Sequence, residues 1–368
     1  MPPARRATVP NMRAARRAVA AGLALFAASQ LALGVTAECY PRLRDPLYGD
    51  KFAKLCRRLT ESPAGGPRPA VVVMLGSSRT GLAFHGKVME QRLAADLGRP
   101  AVAFNYGTPA SGPVTQLVYL DRLLAAGVRP DLLLVEVLPS MLADGQGGPV
   151  ERLWFYADRL TSAERATVTR YGFDEAAVNA RWRRSVLLPA YTLRFQLASR
   201  VAPSWLPWQV RFDWSRGSDD CGWGTTQRQE VGDDQLGRGT EQARLEYAPT
   251  LADYHPGGPA AGALRELVGR CHAAGMPVRL VLMPEGSVFR GWLPPAGEAR
   301  LTEFLTNIST ECNVPIVDAR TWLPDADFYD GHHMFARGAE AFTDRLGREV
   351  VGPVLAAGPA RPDAGVRH

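Results

Sequence analysis

Six consecutive apolar residues, Ala70 to Leu75, run into Gly76-Ser77-Ser78-Arg79-Thr80 and then give way to a helical pattern. An apolar run of that length, bounded by glycine, reads as a strand buried on both faces, the habit of parallel sheets. A sharp strand-to-helix turn is where α/β proteins expose a nucleophile or cradle an anion. The turn carries no lysine and no Gly-x-Gly-x-x-Gly spacing, so it is neither a P-loop nor a dinucleotide fingerprint. Two readings remain for its serines: a nucleophile, or caps on the following helix.

The flanking chain supplies the fold class. A helix is predicted over 86–97, with Val88, Met89, Leu93 and Ala94 at helical spacing, then a strand over 101–105. Pro113 opens a helix that Gly127 stops, and a third strand is predicted over 131–138, apolar after Asp131 except for Glu136. Alternation resumes with a helix over 260–274, a strand over 277–283, a helix over 297–310, a strand over 314–317 and a final amphipathic helix ending near Val354. Repeated strand–helix–strand units predict an α/β fold, a three-layer α/β/α doubly wound parallel sheet of flavodoxin-like type. The domain is expected over 69–355, with a tail over 356–368 expected to be disordered.

Residues 143–255 break the pattern and read as an inserted cap over the active edge of the sheet. They hold six of the eight tryptophans, and 215–239 is rich in Gly, Asp and Gln and is expected to be mobile. Most of these tryptophans are expected to pack the cap's own core, with one or two lining a groove where indole faces suit sugar rings.

The formal net charge is +6, and Arg5, Arg6, Arg13, Arg16 and Arg17 supply five of those charges from the first seventeen residues. The basic balance therefore belongs to a short N-terminal arm, and nucleic acid is not an expected partner. Residues 19–37 carry no charge and are just long enough to span a bilayer, with basic residues before them as the positive-inside pattern requires. Membrane contact is expected through residues 18–37. Val35-Thr36-Ala37 also resembles a signal-peptide cleavage site, and a buried core helix is the bland alternative. Either export reading puts residues 38–368 outside the cytoplasm, membrane-anchored or secreted, with 38–68 as a linker. The five cysteines (39, 56, 221, 271 and 312) specify no disulfide and no metal cluster, and no cofactor is expected.

Nucleophilic acyl chemistry needs a hydroxyl, a base in reach, a group that fixes the base's tautomer, and oxyanion donors. Of six histidines, His332 and His333 fall between the last strand and the last helix, where a doubly wound sheet gathers its site. Asp330 precedes His333 by three residues, close enough to hold the same imidazole.

At this point the residues resemble the SGNH/GDSL hydrolase superfamily. Gly76-Ser77-Ser78 stands where many members have Gly-Asp-Ser, and Asp330-x-x-His333 with Gly338, Ala339 and Phe342 is similar to the family's last block. The resemblance implies Ser78 as nucleophile, His333 as base and Asp330 as its orienting acid. Asn105-Tyr106-Gly107 is similar to the second block, which implies the Gly107 N–H as an oxyanion donor. The third block, usually Gly-x-Asn-Asp, reads Val135-Glu136-Val137-Leu138-Pro139-Ser140, so Ser140 stands as the substitute for the missing Asn. Arg79, outside the family pattern, is either an anion-binding group or a surface cation. The implied function is an extracytoplasmic serine esterase or O-acyltransferase on ester-linked acyl groups of a cell-envelope carbohydrate, in the exported branch with D-alanylation and alginate O-acetylation proteins. The alternative is a non-catalytic glycan-binding envelope protein with a degenerate site.

Overall fold

The computed structural model describes residues 12–61, 67–145, 148–155, 157–207, 210–212, 217–224 and 231–358. The tail beyond residue 358, and 215–216 and 225–230 of the expected mobile stretch, lie outside the described residues. Chain order begins with helix α1 (Met12–Cys39) and α2 (Pro46–Thr60), followed by β1 (Ala70–Gly76), a short α3 (Ser78–Ala83) and α4 (Gly86–Leu97). Next come β2 (Ala101–Gly107), α5 (Pro113–Ala125) and β3 (Leu132–Glu136). The inserted region contributes α6 (Glu175–Leu187), α7 (Pro189–Thr192), α8 (Arg194–Val201) and α9 (Asp233–Ala252). The chain closes with α10 (Gly258–Ala273), β4 (Val278–Leu282), α11 (Pro295–Glu311), β5 (Ile316–Asp318) and α12 (Ala336–Leu346).

The five strands pair in parallel in the order β2-β1-β3-β4-β5. The chain crosses one way from β1 to β2 and the other way to β3, so the switch point lies between β1 and β3, where open α/β sheets bind ligands. Val71, Val73 and Leu75 enter one core with Leu117, Leu120 and Leu264, while Ala70, Val72 and Met74 enter another with Met89, Leu93 and Phe342. The period of two along one strand thus fills both faces, which is why β1 reads as continuous apolar sequence.

Residues 41–60 are no linker. In α2, Leu47, Tyr48 and Leu55 are buried, and Lys51 Nζ donates to Asn105 O at 2.9 Å and Gly222 O at 2.6 Å. Asp45, just before the helix, is buried between Arg122 (2.8 Å) and Arg159 (3.0 Å). The segment looked like a connector because its core-facing residues are few and interleaved with arginine and lysine. The expected mobile stretch is also only partly loop: 217–224 form a turn whose Trp223 stacks on His85 at 3.9 Å, and 233–239 open α9.

α1 is one helix long and apolar enough to cross a bilayer. All five cysteines are free thiols.

Candidate active site

Glu136, at the end of β3, organises the turn after β1. Its carboxylate accepts from Ser77 N–H (2.6 Å), the Ser77 hydroxyl (2.9 Å) and the Thr80 hydroxyl (2.7 Å). A Cβ on Gly76 would lie 2.1 Å from Thr80 Oγ1 and 2.4 Å from Glu136 Oε2, so only glycine fits there. Ser77 caps α3, its Oγ accepting from Arg79 N–H at 3.1 Å. The cap and the candidate nucleophile are therefore adjacent but separate serines.

Ser78, the first residue of α3, is half-buried, and its Oγ lies 2.8 Å from His333 Nε2. His333 Nδ1 lies 2.7 Å from Asp330 Oδ2, while Asp330 Oδ1 accepts the backbone N–H of His333 at 2.7 Å and of His332 at 3.1 Å. Gly331 takes φ +83°, the left-handed conformation that folds the loop back over the carboxylate. Burial alone would raise the Asp330 carboxyl, but attraction to the His333 ring in its protonated form and hydrogen bonds from His332 and His333 hold it far below the usual carboxylate range. It is an anion at any working pH, suited to fix the His333 tautomer.

His332 has a different job. It is buried, stacks on Phe289 at 5.0 Å and meets the edge of Tyr247 at 4.9 Å. Burial and the charge of His333 push it down to about 4, so it packs as a neutral ring. Its Nδ1 lies 3.2 Å from Asp330 Oδ1 but is angled out of hydrogen-bond geometry. Asp330, His332 and His333 bring ligand atoms within 4.8 Å of one another, a grouping that spacing in sequence did not reveal. The oxygen and both nitrogens that join His333 to its partners are already engaged in the Ser78–His333–Asp330 chain, which disfavours a metal reading.

Three further expectations are corrected. Arg79 is neither an anion site nor a surface cation: it is 1% exposed, with its guanidinium on Met283 O (3.1 Å), Pro284 O (2.9 Å) and Glu285 (3.3 Å). It clamps the turn to the end of β4 from below. Gly107 gives its N–H to Asn105 Oδ1 at 2.9 Å. A Cβ there would lie 2.2 Å from Gly81 N, so the glycine lets α3 pack against β2. Ser140 lines a small separate cavity with Glu285 and Phe289, and its Oγ makes no hydrogen bond among the described residues.

A cavity of about 330 Å³ opens over Ser78 and His333, lined also by Pro109, Ala110, Trp154 and α9. Gly239, Gln242, Ala243, Glu246 and Tyr247 present one helical face to it. Burial raises the Glu246 carboxyl, with the charge of His333 opposing. The cavity meets a second of about 570 Å³ at Asp330. Glu136 and the α9 face are the residues that sequence reasoning missed; the signal for Glu136 was a lone carboxylate in an otherwise apolar strand.

No protein-family model matches the chain, and a search of curated proteins finds no match. Among solved structures, the chain is similar to the lipase/acylhydrolase from Enterococcus faecalis, at 14% identity and a TM-score of 0.36, over 79% of this chain and 99% of that one. A likeness that slight carries no argument about activity.

Proposed function

We propose that the protein is a serine esterase or O-acyltransferase working outside the cytoplasm on ester-linked acyl groups of a cell-envelope carbohydrate. The observation that carries the reading is the continuous chain Ser78 Oγ to His333 Nε2 (2.8 Å) and His333 Nδ1 to Asp330 (2.7 Å). Ser78 Oγ attacks the ester carbonyl as His333 Nε2 takes its proton, and Asp330 stabilises the imidazolium. His333 then returns the proton to the departing alkoxide, leaving an acyl-Ser78 ester. Water or a sugar hydroxyl, deprotonated by His333, attacks that ester and frees Ser78.

With Gly107 N–H occupied, the oxyanion falls to other donors. Ser78 N–H and Ala110 N–H donate to no partner among the described residues. Ala110 lines the cavity with φ +54°, a conformation costly for a residue with a Cβ and concentrated at functional sites. We assign the oxyanion to these two groups. Carbohydrate is supported by the exposed indole of Trp154 beside Gln242 and Glu246, and by a second cavity that continues the first past Asp330. The triad resembles that of the SGNH/GDSL superfamily, and the Gly-Ser-Ser turn with the missing third-block Asn is most similar to its exported branch.

A second reading, glycan binding without catalysis, is favoured by the missing third-block Asn and the occupied Gly107 N–H. Turnover of p-nitrophenyl acetate by the detergent-solubilised full chain separates the two. The esterase reading expects activity that Ser78→Ala and His333→Ala reduce to background; equal background rates in all three proteins leave only the binding reading.

A further inference from the structure

We propose that residues 182–206 form a second membrane attachment, an interfacial segment seated in an anionic bilayer beside α1. The proposal rests on α1 spanning that bilayer. Residues 176–212 contain no Asp or Glu but six arginines, three tryptophans and Tyr191. An acid-free stretch mixing arginine with aromatic and aliphatic residues is the composition of segments lying at the lipid–water boundary.

The fold turns that composition outward. Leu187 is 72% exposed, Tyr191 57%, Val201 88% and Trp205 86%, with Val186 and Leu188 beside them. Clustered large apolar side chains of this kind mark an interaction surface rather than scattered surface leucines.

Contact with α1 sets the depth. Pro189 Cγ lies 3.8 Å from where a Gly34 Cβ would be, and Ala190 N–H donates to Gln30 Oε1 at 3.1 Å. Gln30 and Gly34 sit seven and three residues inward of Ala37, the end of the apolar stretch. At 1.5 Å per residue they lie about 5–10 Å inside that end, which matches the burial depth of interfacial helices. Gln30 is also the amide one would least expect in a lipid-facing span, and here it satisfies an otherwise free N–H at the start of α7. Two hydroxyls of the region bond back to helix carbonyls, Ser185 to Trp182 O (2.7 Å) and Thr192 to Leu188 O (3.2 Å).

Charge complementarity completes the case. Arg183, Arg184 and Arg194 are exposed and have no carboxylate partner among the described residues, and Arg194 lies over Tyr191 at 4.2 Å. They suit anionic headgroups at the level where the apolar side chains enter the acyl region. A two-point attachment holds the catalytic domain at one height and tilt over the membrane instead of letting it swing on α1.

The test is photo-crosslinking of the full chain in vesicles of phosphatidylethanolamine and phosphatidylglycerol. Benzoylphenylalanine replaces Leu187, Val201 or Trp205, with Leu25 in α1 as the membrane-span reference and exposed Glu303 in α11 as the aqueous one. Circular dichroism in detergent before reconstitution identifies variants that fold. The expected readout is a mass increase of one phospholipid at positions 25, 187, 201 and 205 and none at 303. Adducts at 25 without any at 187, 201 or 205 overturn the proposal while leaving α1 in the membrane. Covalent dimers at those three positions overturn it in favour of a second copy of the chain, and loss of the adduct at 25 removes its premise.

Discussion

Glu136→Gln is the substitution that most sharply tests how the nucleophile turn is held. It keeps the shape of a side chain that is 1% exposed and removes its charge. Oε2 receives two of the three donors, Ser77 N–H and Thr80 Oγ1–H, so the amide oxygen takes that position. The new NH2 then faces the Ser77 hydroxyl, whose own proton is left without Oε1 to receive it. Hydrogen bonds to a charged group contribute ~1.5–3 kcal/mol and neutral ones ~0.5–1.5 kcal/mol, so two retained bonds lose about 1 kcal/mol each. Arg79 Nε, 4.0 Å from Glu136, loses one of two carboxylates but keeps Glu285, which adds a further fraction of a buried pair. The expected destabilisation is about 2–4 kcal/mol, read by urea unfolding of the detergent-solubilised chain. Because Ser78 follows directly on Ser77, a turn relaxed by about 1 Å also lowers kcat on p-nitrophenyl acetate about 100-fold. Stability within about 0.5 kcal/mol of wild type, together with an unchanged kcat, refutes the claim that this carboxylate sets the turn.

Three other outcomes follow from the same geometry. Asp330→Asn keeps the side-chain shape but cannot hold the His333 tautomer or its positive charge, so kcat falls about 10³–10⁴-fold with KM little changed, measured by steady-state ester hydrolysis. His332 is neutral when folded down to about pH 4 and protonates near 6.5 when unfolded, so the unfolded chain binds the extra proton between those values. Stability accordingly drops by about 3 kcal/mol as pH falls from 6.5 to 4, and unfolding titrations of His332→Phe show that slope flattened. Gly107→Ala forces a methyl onto the backbone of Gly81 and destabilises by about 1–3 kcal/mol or more, a loss visible in the melting curve and not confined to kcat.

The sheet was legible because β1 and β3 are buried on both faces and their sequences show it without help from distant partners. The Ser78, His333 and Asp330 grouping was legible for another reason: Gly76-Ser77-Ser78 follows a strand, Asp330-x-x-His333 precedes a helix, and the resemblance to the SGNH/GDSL blocks singled out these three residues. Arg79 and Ser140 were misread because the tertiary fold decides where their side chains end up, and Gly107 because a side chain of its own strand engages its N–H. Arg79 follows a polar turn, yet its side chain runs beneath β4 to carbonyls some two hundred residues away. Asn105 Oδ1, two residues from Gly107 in the same strand, takes the N–H that a family pattern assigns to the oxyanion. The α2 segment was hidden by its charges, since Lys51 and Asp45 are buried against partners that only the tertiary structure supplies. The tryptophans of the cap also divide in a way composition does not show: Trp154 reaches the cavity over Ser78, Trp182 lies under Arg165, and Trp223 packs on His85.

The proposed chemistry stands on Ser78 as a nucleophile activated by His333. Treating the full chain with a fluorophosphonate and mapping the adduct by peptide mass spectrometry tests it most directly. One adduct is expected, on Ser78, formed at least 100-fold more slowly in His333→Ala, as loss of the general base requires. An adduct on Ser77, or labelling of Ser78 that is indifferent to His333, contradicts it.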